Sequence, residues 1–340
     1  GGTIVSARAA ISPSGVSTVR SPGTGAARFT SARAIGPSSK CKAAEVTSPI
    51  ASPPARTSAP RSGSTLLYQL LVGCYDVTYL TNRHCAFFGA PSWVERLWGR
   101  RALPPADYVS RHGLTEGPWG PAECGPFWYR FFRKSPQFVP LSAVRDDDLR
   151  RLRAACRALG DAGRRPLVFK NLLCSLRLEP LTKALPEARF VVITRSLEDH
   201  ARSILAARQR VNGEVRSWWS VEPPGWERLR MLEPAEQVLG QIDTIHTTIN
   251  KARSTLGADH FFDVRYEDLI ADVHRVLDTV AVYAAGQDIQ LASRGNVPRE
   301  FSRQSSHPLP ADLEQALAAA LERRCAAAPA SSAKRPGSVS

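Results

Sequence analysis

Between residues 64 and 325 the chain alternates between two hydrophobic periods. Leu66, Leu67, Leu70 and Leu71 recur at helical spacing and predict a helix from Ser64, with Gly63 at the loop-to-helix junction. Apolar runs rich in Val, Ile and Phe stand at 166–173, 188–195 and 260–266. They are short and continuous, the pattern of strands buried on both faces. Around them, apolar residues at i, i+3 and i+4 predict helices over 146–159, 175–185, 197–210, 234–256, 272–285 and 310–325. Strands alternating with helices imply one α/β domain, a parallel sheet with helices on both faces. Residues 76–145 break this rhythm. Ten aromatics fall between Trp93 and Phe138 among many Pro and Gly, which predicts an irregular insertion lying over a site as a lid.

The flanks read differently. Residues 1–58 consist largely of Ser, Ala, Pro, Gly and Thr without an apolar period, and cannot bury enough surface to offset the entropy of ordering. A disordered, low-complexity segment is expected there, and a disordered tail over 326–340, which leaves 59–325 as the folded domain. The 45 Lys and Arg outnumber the 31 acids for a net charge of +14, which suits an anionic partner such as a nucleotide, a sulfated glycan, nucleic acid or a membrane surface. The first sixty residues hold seven of these cations against Glu45 alone. That composition fits an organellar transit peptide as well as a bland extension, so a cytoplasmic protein is expected with organellar targeting left open. No apolar run approaches the ~20 residues that span a bilayer, so integral membrane association is not expected. The seven cysteines are scattered without a C-x-x-C pair, and no His, Cys or carboxylate cluster has metal-ligand spacing, so neither a disulfide framework nor a metal is expected.

Candidate chemistry begins at Arg61, Ser62, Gly63, Ser64 and Thr65. Successive backbone N–H groups leading into a helix N-terminus form an anion cradle, and a glycine lets the ligand approach the backbone. Against the pattern G-x-x-x-x-G-K-[ST], Gly63 and Thr65 match, but Ser58 stands for the first glycine and Ser64 for the lysine. A polyphosphate-handling enzyme needs that lysine and a Mg²⁺-binding hydroxyl, whereas a phosphosulfate carries less charge, and Arg61 can supply a cation. A second string, R-S-L-E-D-H-A-R-S, puts Arg195 at a strand end and Ser203 eight residues later in the following helix. Both can face the carboxyl edge of a parallel sheet, a good place for a second phosphate.

These strings, in this order and separation, resemble the sulfotransferases that use 3′-phosphoadenosine 5′-phosphosulfate (PAPS), with bacterial-type features. The string P-R-S-G-S-T matches the family's loop P-[KR]-[ST]-G-[ST]-[ST], F-F-D-V-R-Y-E-D-L from Phe261 resembles a common family segment, and the stretch from Lys170 to Phe190 looks like the bacterial members. The resemblance covers about 60–303. It implies a P-loop nucleotide-kinase-like fold and transfer of a sulfuryl group from PAPS to an acceptor hydroxyl or amine. Residues 61–65 would hold the 5′-phosphosulfate, Arg195 and Ser203 the 3′-phosphate, and Tyr266 would lie near the nucleotide. Arg303, with Arg299, would add late contacts to the 3′-phosphate, and Arg61 or Lys170 would stabilise leaving-group charge. The acceptor would be a small molecule, a lipid or a glycan.

A catalytic base must take the acceptor's proton. The family offers a Glu about twenty residues after the loop or a His about sixty after it. Here the nearer place holds His84, and the farther place holds His112, Glu116 and Glu123. His112 stands first, Glu123 second and His84 third. His246 and His274, on amphipathic helices, read as core-edge residues, and Trp218 and Trp219 as packing.

One departure concerns the strand that the family places directly before the loop. The stretch SPIASPPARTSA is poor in apolar residues, and Pro53 and Pro54 cannot donate to a ladder. Either 55–59 form that strand poorly or it has been lost, as a reading-frame error upstream of Pro60 would leave it, and an impaired enzyme is then expected. Two rival functions remain. An ATP-dependent P-loop phosphotransferase is disfavoured by the absent lysine. A non-enzymatic polyanion binder would need a basic stripe or a nucleic-acid motif, and the sequence shows neither, so no nucleic-acid partner is expected.

Overall fold

Helix ends in the chain fall where local chemistry sets them. In the computed structural model, which describes residues 2–6, 60–99, 108, 115–302 and 308–327, all described residues belong to one compact unit. Strand β1 (Gly2–Ser6) is followed by α1 (Ser64–Cys74), β2 (Thr78–Tyr79), α2 (Asn82–Ala86), α3 (Pro91–Trp98), α4 (Gly125–Trp128) and α5 (Asp146–Gly163). Then come β3 (Leu167–Asn171), α6 (Leu178–Ala184), β4 (Arg189–Thr194), α7 (Leu197–Asn212), α8 (Trp226–Leu229) and α9 (Pro234–Leu256). Strand β5 (Phe261–Arg265), α10 (Tyr266–Ala271), α11 (Val273–Ala285) and α12 (Ala311–Ala327) complete the described elements. Asp146, Asp147 and Asp148 complement the positive end of α5. The Ser196 hydroxyl accepts from the Asp199 N–H to cap α7, which stops at Gly213 with φ 77°. Pro234 opens α9, where its missing N–H costs nothing.

Each strand expected in the second half of the chain is present, and so is each expected helix. The helix expected over 175–185 starts only at Leu178, because a 3-10 turn (Leu172–Leu176), capped by Asn171, intervenes. Strand residues alternate between two cores, as a pleat requires. Phe169, Phe190 and Val192 face a core with α5, α6, α7, α9 and α12. Val168, Val191, Ile193 and Val264 face a second core with α1, α10 and α11. The sheet is therefore covered on both faces.

Its topology differs from the expected parallel sheet. The strand order is β2-β3-β1-β4-β5, with β2 parallel to β3 and β4 parallel to β5, while β1 runs antiparallel between β3 and β4. Ile4 pairs with Phe169 on one side and with Phe190 on the other. The central place beside the loop is thus filled from the far N-terminal end of the chain, and the sheet is mixed. The composition of residues 1–58 predicts no element, yet Thr3, Ile4 and Val5 are β-branched and supply a run that suits a strand. Residues 55–59 lie outside the described residues, as do 328–340.

The insertion 76–145, expected as a lid, contributes to the sheet and to the core. Strand β2 extends the sheet edge, and Phe127, Trp128, Phe131 and Phe132 are buried in the first core, where Trp128 packs edge-on against Phe169 at 5.4 Å between ring centroids. Its aromatic content therefore serves packing as much as any ligand.

Candidate active site

Several chain segments meet at one cavity of about 210 Å³, among them the loop before α1, the end of β3, the end of β4 and the stretch leading into α4. The loop is shaped by two left-handed residues, Arg61 at φ 69° and Gly63 at φ 97°. Between them Ser62 is fully buried, with its hydroxyl unbonded among the described residues. Gly63 caps α1, its carbonyl accepting from the Leu67 N–H at 3.1 Å. A side chain there is barred by φ and by space, since a Cβ would lie 2.3 Å from Tyr266 Cδ2. The Tyr266 ring thus lies against the bare backbone of Gly63, and the Arg195 guanidinium stacks 4.6 Å from the centroid of that ring.

The loop is fastened from α7. His200 Nε2 lies 2.6 Å from the Pro60 carbonyl, which can only accept, so the ring donates from that nitrogen. One turn further on, the Ser203 hydroxyl accepts from Arg61 Nε at 3.2 Å, while Arg195 Nη1 donates to the Arg61 carbonyl at 3.4 Å. Among the described residues neither Arg61 nor Arg195 ion-pairs with a carboxylate. Burial, followed by repulsion from Arg195 and Arg210, pushes the Arg61 guanidinium below its ordinary pKa. Such a site gains by taking up an anion.

On the other wall, Lys170 projects from β3 and is buried. Its ammonium donates to Thr65 Oγ1 at 3.2 Å and pairs with the Glu123 carboxylate. Glu123 is held at several points. Oε2 accepts from the Leu172 N–H at 3.1 Å, and its carbonyl accepts from Trp128 Nε1 at 3.0 Å and from Asn171 Nδ2 at 3.2 Å. The remaining wall brings Trp219 and Ser220 to the cavity, with Ser220 at φ 72°. Gln241 accounts for that placement by donating to the carbonyls of Trp219 (3.1 Å) and Val221 (2.6 Å). Buried Arg208, its pKa pushed down to about 10 by desolvation, lies under the Trp218 ring and donates to Gln237 at 2.7 Å. Tyr108 and Phe301 stand edge-to-face at the rim, 5.3 Å apart.

Of the residues singled out from sequence, Arg61, Gly63, Ser64, Thr65, Glu123, Lys170, Arg195 and Tyr266 line this cavity, and Ser203 touches it through Arg61. His84 does not. It is buried in α2, where it completes a capping box with Thr81, and its Nε2 stands 3.5 Å from Glu95 Oε2 beside a separate small cavity. His112 and Arg303 lie outside the described residues, and Arg299 does not line the cavity. His246 is buried within α9, and His274 Nε2 lies 2.9 Å from the Val297 carbonyl. His200 and the pair Trp219 and Ser220 carry more than the sequence reading assigned them. His200 and Ser203 are three residues apart in one helix and so share a face, a spacing that was present to be read. Among the described residues no cluster fit to hold a metal occurs, and no helix is long and apolar enough to cross a membrane.

A sheet covered by helices on both faces, with a cavity at the strand ends that gathers Arg61, Lys170 and Arg195, defines an α/β protein with a candidate ligand site. The sulfotransferase family model matches residues 57–285, from just before the loop to the end of α11, and the chain belongs to that family. The match includes every cavity residue named above except Tyr108's rim partner Phe301. Nothing matches the chain among curated proteins. Nothing matches it among solved structures.

Proposed function

We propose that this sulfotransferase uses PAPS as donor and transfers its sulfuryl group to the hydroxyl or amine of a small-molecule, lipid or glycan acceptor. The observation that carries this is the convergence of two unneutralised guanidiniums, Arg61 and Arg195, on a glycine-bearing loop at a helix N-terminus. In this reading the backbone N–H groups of residues 62–65 act as a P-loop-like cradle for the 5′-phosphosulfate. Arg195 and Ser203 hold the 3′-phosphate, with Arg61 between the two anions, and Tyr266 supports the nucleotide side.

Glu123 accepts the proton of the acceptor as its oxygen or nitrogen forms the new bond to sulfur. The S–O bond to the 5′-phosphate breaks, and its electron pair leaves on the nucleotide. Lys170 meets the charge that builds on the transferring group and the leaving oxygen, as a preorganised cation in a buried setting does best. His84, inside its capping box, has no part in this scheme. An ATP-dependent phosphotransferase would lack the loop lysine, since Ser64 stands in that place.

The test is calorimetry with 3′-phosphoadenosine 5′-phosphate (PAP) and adenosine 5′-phosphate. A charge-assisted Arg195 contact worth about 1.5–3 kcal/mol favours PAP by at least tenfold. Equal affinity for the two nucleotides refutes the donor assignment. Mass spectrometry of acceptors incubated with labelled PAPS then reads the transfer itself.

A further inference from the structure

Away from the cavity, α3 and the turn before it carry exposed apolar side chains. Helix α3 turns Val94 and Glu95 inward, Glu95 bonding Arg165 at 2.7 Å, and leaves Trp93 63% and Leu97 55% exposed one turn apart on its outer side. The turn before it adds Phe87, 58% exposed, and Phe88. The backbone runs on without a break, since the Ala90 N–H bonds the Phe87 carbonyl and the Trp93 N–H bonds the Ala90 carbonyl. Arg130, next to the exposed Tyr129, donates to the Phe88 carbonyl at 2.9 Å and joins that residue to the same patch. Large apolar side chains clustered this way are unusual on a surface without a partner.

Charge decides which partner. Residues 82–99 contain one carboxylate, Glu95, which is buried and paired, and residues 125–145 contain none. The same stretches present Arg96, Arg130, Arg133 and Lys134 at the surface or half-buried. A second copy of the chain would bring the same positive charge, and the basic residues 1–58 would be repelled as well. On the packed neighbour α5, Asp147 and Asp148 are paired with Arg145, Arg150 and Arg151, so aromatic and leucine side chains protruding from a short helix and its turn, in stretches where cations outnumber acids, have the chemistry of an interfacial anchor on anionic headgroups.

We propose that the Phe87, Phe88, Trp93 and Leu97 patch docks this protein onto the surface of an anionic lipid bilayer. The docking is independent of which donor the cavity takes. It needs no spanning helix.

Sedimentation of the full chain with lipid vesicles tests it. Wild type should bind phosphatidylcholine vesicles carrying about a third phosphatidylglycerol at least tenfold tighter than phosphatidylcholine alone. The pair Trp93→Ser and Leu97→Ser should lower affinity for the anionic vesicles at least tenfold. Met231→Ser, at another exposed apolar position, should leave vesicle binding unchanged. Circular dichroism melts of all variants should match wild type, which separates a lost surface from a lost fold. Three results would overturn the proposal: wild type that stays in the supernatant, a double variant that sediments as wild type does, or light scattering that shows a dimer which the double variant dissolves. The second would leave the binding to diffuse positive charge, and the third would assign the patch to a second copy.

Discussion

Replacing Gly63 by alanine tests the loop at its most constrained point. The backbone there has φ 97°, and left-handed conformations cost an L-residue roughly 1–2 kcal/mol. The new Cβ would also stand 2.3 Å from Tyr266 Cδ2 and 2.8 Å from Cε2, so the ring must move out from beneath Arg195. Displacing the ring forfeits a cation–π contact worth about 0.5–2 kcal/mol. In the free protein the loop can escape the strain by leaving the left-handed region, and binding must then restore it, so the loss appears in nucleotide affinity. Together the two effects amount to about 1.5–4 kcal/mol, or roughly ten- to several-hundred-fold in the dissociation constant of PAP. Calorimetry measures that constant, and a circular dichroism melt verifies the fold. Tyr266→Ala removes the collision, so the double variant should lose less than the sum of the two single losses. Gly63→Ala binding PAP within threefold of wild type while folding normally would refute the reasoning.

Ile4→Pro removes a backbone donor from the central strand, leaving its partner unsatisfied, and should lower stability by about 2–4 kcal/mol and the melting temperature by roughly 5–10 °C. An unchanged melt would show that β1 does not hold the sheet together. Glu123→Gln should reduce turnover by roughly 10²–10⁴-fold while PAP affinity moves less than threefold, which single-turnover kinetics and calorimetry separate; full turnover would return the base to another group such as His112. His200→Ala leaves the Pro60 carbonyl without its donor and should weaken PAP binding by about 1–2 kcal/mol, with no change in the KM of the acceptor; a change in acceptor KM alone would place His200 on the wrong side of the cavity.

The local part of this protein was written in its sequence. Helix and strand periods depend on residues a few positions apart, so the runs at 166–173, 188–195 and 260–266 and the helices around them could be read directly. The same holds for the loop at 61–65, for Arg195 at a strand end with Ser203 eight residues on, and for Lys170 near the end of β3.

Tertiary structure decided what depends on distant partners. Arg61 meets Ser203 across 142 positions and Lys170 pairs with Glu123 across 47, and no local period encodes either meeting. His84 and Glu123 were comparable as sequence candidates, yet one completes a helix cap and the other reaches the cavity, because only the second lies where its segment packs against the end of β3. The central strand shows the principle most plainly. A five-residue run carries too little signal to stand out from a low-complexity flank, and it becomes a strand because β3 and β4 present unpaired backbone edges that a third segment must satisfy.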